Sequence, residues 1–372
     1  MFSSSLLSPL IGFAYRAFAK PLLFKRDPEK VHDAALNIGH WFGKYGWRCY
    51  IVRTCFHYQD LMLSQTLLGL KFASPLGLAA GFDKNGYLIG TLDGLGFGFG
   101  EIGSVTGRPC EGNAKPRLWR LPASRSLAVY YGLANEGAAA IAERVKKSSR
   151  KIPIGINIAK TNHLDTNEIK AGIEDYIKAY RAINQAADYI TVNISCPNVG
   201  GGEPFKNPEN LELLLSAIEQ ESGLKPIFIK LSPDLSESEL NGLLSVIAKH
   251  KIAGLICSNL THSRDGIIES EKKLNARGGL SGQAVANLSN ELLSSVYKKT
   301  QGKYLLIGCG GIFSAEDAYE KIKRGANLLQ LISGMIFNGP QFINELNRGL
   351  VKLLKKDGYE NISQAVGSYY KN

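Results

Sequence analysis

The feature that most constrains this chain is an alternation that begins near residue 73. Short apolar runs recur, each followed by Gly, Asn, Ser or Pro and then by a helical pattern. The runs are Pro75–Ala80, Gly98–Ser104, Pro153–Ile158, Tyr189–Ile194, Ile227–Leu231, Gly254–Ser258, Leu305–Cys309 and Leu328–Ser333. Nearly continuous apolar runs of this length are expected of parallel strands buried on both faces. Helical periodicity follows at about 135–147, 168–186, 208–221, 236–250, 284–299 and 315–323, among others. Eight such units in some 300 residues predict an α/β fold of the closed (β/α)8, or TIM, barrel type. The competing architecture is a doubly wound open sheet. It usually carries a glycine-rich dinucleotide turn near its start, and no clean one occurs here.

The first 72 residues do not share this rhythm. We expect them to form a small N-terminal helical segment beside a barrel of residues 73–372. Leu6 to Phe24 is apolar but interrupted by Pro9, Gly12, Arg16, Lys20 and Pro21. A spanning helix needs about 20 nearly uncharged residues. A secretory signal needs its positive charge before the apolar stretch, whereas Arg16 and Lys20 lie at its end. An interfacial helix fits better. Leu10, Ile11, Phe13, Ala14, Ala17 and Phe18 share a broad apolar face, with Arg16 and Lys20 at headgroup level. Asp27-Pro-Glu reads as a helix N-cap with Pro at the first helical position, and the helix it starts runs to about Tyr45. Residues 1–60 hold 8 Lys and Arg against 4 Asp and Glu. The other reading is two helices packed on the barrel's flank.

The net charge of +11 fits an anionic membrane or anionic ligands. The basic residues form no dense run and interleave with no aromatic stripe, which argues against nucleic acid. The cysteines at 49, 55, 110, 196, 257 and 309 include no C-x-x-C pair, so no zinc or iron–sulfur site, and no metal at all, is expected. Reduced thiols in a cytoplasmic setting are the natural reading.

In such barrels the reactive groups sit at the C-terminal ends of the strands. After the first run, small Ala79, Ala80 and Gly81 let the backbone approach a flat ligand, and Lys84 places a cation beside it. Asn157, Asn193 and Asn259 end strands, and Asn198 follows Asn193 in the same turn. Amides both donate and accept, so four around one mouth suit a heterocycle with carbonyl and N–H groups. Singly, each would be an ordinary turn residue. Lys230 closes its strand, where a cation can stabilise the negative charge that a reduced flavin develops or can simply cap the strand at the surface. Glycine-rich turns at Gly278–Gly282, Cys309–Ile312 and Ser333–Met335 suit a phosphate. Cys196 lies between Asn193 and Asn198. A thiol with an ordinary pKa near 8.5 serves as a base when ionised. The other five cysteines read as packing.

Taken in order, LLFKRDPEKVH, LGLAAGFDKNG, EIGSVTGRP, GNAKPRLWRL, GINIAK, NISCPN, KLSPDLSE, GGLSG, IGCGGI and GANLLQL resemble the class 2, quinone-dependent dihydroorotate dehydrogenases over nearly the whole chain. The resemblance implies FMN held at Ala79, Ala80, Ser104, Asn157, Asn193, Lys230, Ser258, Gly282, Gly311, Ser333 and Gly334. It implies substrate contacts at Lys84, Asn193, Asn198 and Asn259, and a catalytic base at Cys196, where class 2 members usually carry Ser. It also implies quinone as electron acceptor and a peripheral place on the cytoplasmic face of the inner membrane. Departures gather on the substrate side. Val129 stands for an Asn, Leu133 for an aromatic, Val199 and Leu260 for Thr, and Ile332 for Tyr. The expected activity is oxidation of (S)-dihydroorotate to orotate in pyrimidine biosynthesis. The alternatives are an FMN dehydrogenase for a less polar ring, or a flavin-binding homologue without turnover.

Overall fold

The computed structural model describes residues 4–371 other than 224 and 275. In chain order its strands are β1 (Gln65–Leu67), β2 (Leu70–Phe72), β3 (Leu76–Leu78), β4 (Phe99–Val105), β5 (Leu118–Leu121), β6 (Ser126–Val129), β7 (Ile154–Ile158), β8 (Tyr189–Asn193), β9 (Ile227–Leu231), β10 (Gly254–Cys257), β11 (Gly279–Gly282), β12 (Leu305–Cys309) and β13 (Leu328–Leu331). Eight of them close into an all-parallel barrel in the order β3-β4-β7-β8-β9-β10-β12-β13 and back to β3. Each of the eight apolar runs seen in the sequence supplies one barrel strand, and the closure excludes the open sheet.

Side chains alternate between two environments along each strand. Outward residues such as Ile102, Ile156, Val192, Ile229, Leu255 and Leu329 pack in the large cluster shared with the surrounding helices. Inward residues form layers. The lowest holds Phe72, Phe99, Tyr189, Phe228, Ile256 and Ile307. Glycine makes room for these rings: a Cβ on Gly77 would lie 2.4 Å from Phe99, and one on Gly155 would lie 2.1 Å from Tyr189. The hairpin β1–β2 delivers Phe72 to this layer, so the barrel floor is closed from below by the chain that precedes β3.

Above the floor the inward layer turns polar. Glu101 is fully buried and accepts hydrogen bonds from Asn157 Nδ2 (2.9 Å), Thr191 Oγ1 (2.9 Å), Tyr189 OH (3.2 Å) and Gln330 Nε2 (2.8 Å). This carboxylate ties β4 to β7, β8 and β13 beneath the open mouth.

Two features were not legible from periodicity. The segment Gly278–Gly282, expected as a phosphate turn, forms β11 and pairs antiparallel with β6, which pairs with β5. This three-stranded sheet lies outside the barrel, and Leu118, Leu127, Val129 and Gly282 from it reach the cavity at the mouth. The N-terminal part also holds a further helix, Gly46–Phe56.

The first helical stretch runs from Ser4 to Phe24 through a π turn at Tyr15–Ala19. Pro21 has no N–H to give, and the Lys20 N–H reaches back to Tyr15 O. Leu10, Phe13, Phe18 and Leu22 are each about two-thirds exposed on it. Arg16 pairs with Glu345 (3.1 Å), so it is tied to the barrel side rather than free at headgroup level. Helix Pro28–Gly43 starts as expected, with Asp27 capping the Lys30 N–H, and ends just short of Tyr45. No helix among the described residues is long and apolar enough to cross a membrane.

Candidate active site

One cavity opens at the C-terminal mouth of the barrel and contains about 1240 Å³ of empty space, part of it open to solvent. It gathers residues from almost every strand end, which the parallel closure brings within reach of each other. Of the residues singled out in the sequence, Ala79, Ala80, Lys84, Ser104, Asn193, Cys196, Asn198, Lys230, Ser258, Asn259, Gly282, Gly311, Ser333 and Gly334 all line it. Asn157 does not. It is fully buried one step lower, where its Oδ1 accepts from Ser104 Oγ (2.5 Å) and its Nδ2 binds Glu101.

The cavity has distinct parts. At one end Gly310 and Gly311 adopt positive φ of 107° and 73°, and Gly282 one of 91°. A Cβ on Gly311 would meet Ala286 Cβ at 2.4 Å, so only glycine lets this turn bring bare backbone to the wall. Ser281 and Ser333 hydroxyls meet at 2.9 Å beside it. In the middle, Asn193 Nδ2 donates to Ser104 Oγ (2.9 Å), and the buried Lys230 lines the wall without a hydrogen bond or ion pair among the described residues. A cation freed of partners, flanked by an amide and a hydroxyl and facing small Ala79 and Ala80, fits a flat ring that gains negative charge on reduction. With a glycine cradle for a phosphate at one end, these residues fit FMN.

Cys196 lines the same cavity, in the turn that follows Asn193. The expectation of a thiol ionising near its ordinary value needs correction. Burial pushes the Cys196 thiol up to about 11, with Glu203 adding to the rise and the Asn198 N–H, Lys230 and Lys160 working against it. The other expected anchor, Lys84, is set by Asp83. The buried Asp83 carboxylate accepts from the backbone N–H groups of Gly86 (2.8 Å), Tyr87 (2.9 Å) and Leu88 (2.7 Å), which folds the turn around it. Burial, and then the Arg117 guanidinium, push the Lys84 ammonium down to about 8. Its Nζ lies 3.8 Å from the centroid of the Tyr131 ring.

Sequence reasoning missed three contributors. His32, from helix Pro28–Gly43, forms part of the wall with its ring 4.7 Å from that of Phe82. Burial and the Lys84 charge depress it to about 3, so its imidazole is neutral. His32 Nε2 and the Tyr131 hydroxyl are both buried without a partner. The histidine stood in the quoted DPEKVH stretch, but only tertiary folding carries it to the barrel mouth. The third is Glu101, which one charged residue in an apolar strand could have signalled. Helix Pro28–Gly43 is fastened there by Glu29, which binds Arg117 (2.8 Å) and Lys115 (3.2 Å).

Comparison with known proteins agrees with this geometry. The family model described as Dihydroorotate dehydrogenase matches residues 62–354. A dihydroorotate dehydrogenase (quinone) of Gloeobacter violaceus is 38% identical over 94% of this chain and 97% of its own. One from Crocosphaera subtropica is 39% identical over 92% and 94%. Among solved structures, DHODH of Eimeria tenella in complex with ferulenol superposes with a TM-score of 0.82 at 27% identity, covering 93% of this chain and 96% of that one.

Proposed function

Because this chain belongs to the dihydroorotate dehydrogenase family, we propose that it oxidises dihydroorotate to orotate with FMN and passes the electrons to a quinone. The observation that carries the reading is the presence, in one cavity with Asn193, of a thiol at Cys196 and the unpartnered amine of Lys230. FMN, when bound, supplies the two-electron acceptor. Ala79, Ala80, Ser104, Asn193, Lys230 and Ser258 would hold its ring, Gly282, Gly311, Ser333 and Gly334 its phosphate, and Asn157 would brace Ser104 from below.

The protein's own part is positioning and proton transfer. Lys84 anchors the substrate carboxylate, while Asn193, Asn198 and Asn259 surround the ring. Cys196, as thiolate, takes the proton from the ring carbon next to a carbonyl. A thiolate held near 11 is a strong base but a scarce one at neutral pH, so flavin reduction rises with pH until the thiol has ionised. The presence of this base disfavours a flavin-binding homologue without turnover.

The quinone would approach where the N-terminal helices meet the mouth, with His32 Nε2 and the Tyr131 hydroxyl as polar contacts. Residues 1–72 would then act as the membrane- and quinone-facing segment and 73–372 as the catalytic barrel. The exposed Leu10, Phe13, Phe18 and Leu22 support a peripheral seat on a membrane surface, which for this family reading would be the cytoplasmic face of the inner membrane.

The test is anaerobic mixing of the purified holoprotein with dihydroorotate. The flavin should bleach, and Cys196→Ala should slow bleaching on the order of a hundredfold while retaining FMN. Unchanged bleaching in that variant would remove Cys196 from the chemistry. No bleaching in the unaltered protein would remove dihydroorotate.

A further inference from the structure

Lys321 is a buried cation that the chemistry above does not use. It projects from helix Ala315–Lys323 and is 1% exposed. Its Nζ donates to Ser289 Oγ (2.8 Å) and Asn290 Oδ1 (2.7 Å) on helix Ala286–Thr300. Ser289, itself fully buried, gives its own hydrogen to Cys309 O (2.7 Å). The same carbonyl accepts from Ser258 N (2.9 Å), so these bonds join the ends of β10 and β12. Gly310 and Gly311 follow Cys309 directly, and a Cβ on Gly310 would lie 3.8 Å from Ser289 Oγ. The ammonium therefore stands one side chain behind the glycine turn assigned to the phosphate.

No anion answers this charge. Among the described residues, no carboxylate lies within ion-pair distance of Lys321. Cys257 and Cys309 flank it, but burial pushes both thiols up, that of Cys257 to about 12, so neither supplies a negative charge at neutral pH. Asp317, one turn earlier on the same helix, attracts it from farther away and spends Oδ2 on Phe313 N (2.8 Å), while Arg324 repels it. Burying an ammonium without a counterion is costly, and burial depresses Lys321 to about 8. The cavity wall has the opposite lack. Lys84 and Lys230 are the only Lys or Arg side chains among the described residues that line it, and neither lies in the loops that carry Gly282, Gly310 and Gly311. Backbone N–H groups offer a phosphate dipoles but no net charge. Arg125 rests over the Phe313 ring (4.4 Å) but is exposed, so water and salt screen it.

We infer that Lys321 is a positioning residue for the flavin's phosphate, fixing the Gly310–Gly311 turn through Ser289 and supplying from behind the wall the positive charge that the turn lacks. The inference rests on the FMN reading above and adds to it a residue outside the cavity wall.

Riboflavin shares the ring of FMN and lacks its phosphate, so the ratio of the two affinities isolates the phosphate. The full-length chain, freed of flavin, is titrated with each by fluorescence quenching. In Lys321→Met, which keeps the apolar stem, the preference for FMN should fall roughly tenfold or more, while riboflavin affinity stays within about twofold. In the unaltered protein the preference should begin to fall as pH passes about 8, because Lys321 is a cation below that value and neutral above it. The fall should be at most about tenfold per pH unit. If the variant does not fold, this pH profile decides alone. An unchanged preference in Lys321→Met, an equal loss of both flavins in that variant, or a preference constant from about pH 7 to about pH 10 in the unaltered protein overturns the inference. Tight and equal binding of both flavins by the unaltered protein would remove the role of Lys321 and keep the flavin site. Binding of neither would remove the FMN reading and this inference with it.

Discussion

Replacing Glu101 tests whether the cavity floor is held by one carboxylate. Four donors converge on it: Asn157 Nδ2 on Oε1, and Thr191 Oγ1, Tyr189 OH and Gln330 Nε2 on Oε2. In Glu101→Leu all four lose their acceptor. The two hydroxyls can rotate, but the amide hydrogens of Asn157 and Gln330 are stranded in a buried layer. At about 1–3 kcal/mol for each stranded group, the cost is about 2–6 kcal/mol. Glu101→Gln behaves differently. Its amide oxygen can take the Oε1 position and keep Asn157. Its NH2 then faces two hydroxyls, which accept as well as donate, and Gln330, whose Oε1 is buried without a partner and needs only a flip of the amide to accept. The glutamine variant should therefore lose under about 1 kcal/mol. Urea unfolding of both variants, with and without added FMN, measures the difference. Because Asn157 braces Ser104, the leucine variant should also bind FMN more weakly. Equal destabilisation by the two substitutions would refute the hydrogen-bond account and leave only packing.

Gly311→Ala forces a side chain into a left-handed turn and against Ala286, so FMN affinity should fall more than about tenfold by fluorescence titration; an unchanged value would dismiss the glycine cradle. Binding of orotate should weaken as pH rises through about 8, because Lys84 is a cation below that value and neutral above it. The loss should reach at most about tenfold per pH unit, and Lys84→Met should flatten the profile. Serine in place of Leu10, Phe13 and Phe18 together should abolish co-sedimentation with anionic vesicles while FMN content stays constant. Persistent sedimentation would move the membrane contact elsewhere.

Much of this protein could be deduced from its amino-acid order, and the reason is local periodicity. A strand buried on both faces must be apolar throughout, and a glycine, asparagine or serine must follow where the chain leaves it. Those two demands identify all eight barrel strands and, through the mouth rule, most of the cavity wall. Long-range pairing leaves no such trace. Gly278–Gly282 reads as a turn by composition, yet it becomes a strand because β6, some 150 residues earlier, presents an edge for it. Cys196 has the same neighbours in sequence whether its thiol ionises at an ordinary value or near 11. Burial decides that, and burial is a property of the closed barrel mouth. The asparagines show the same division. Their presence at strand ends is written in the chain, but which of their atoms remain for a ligand depends on backbone groups such as Gly279 N, which approach only when the capping sheet folds over the barrel.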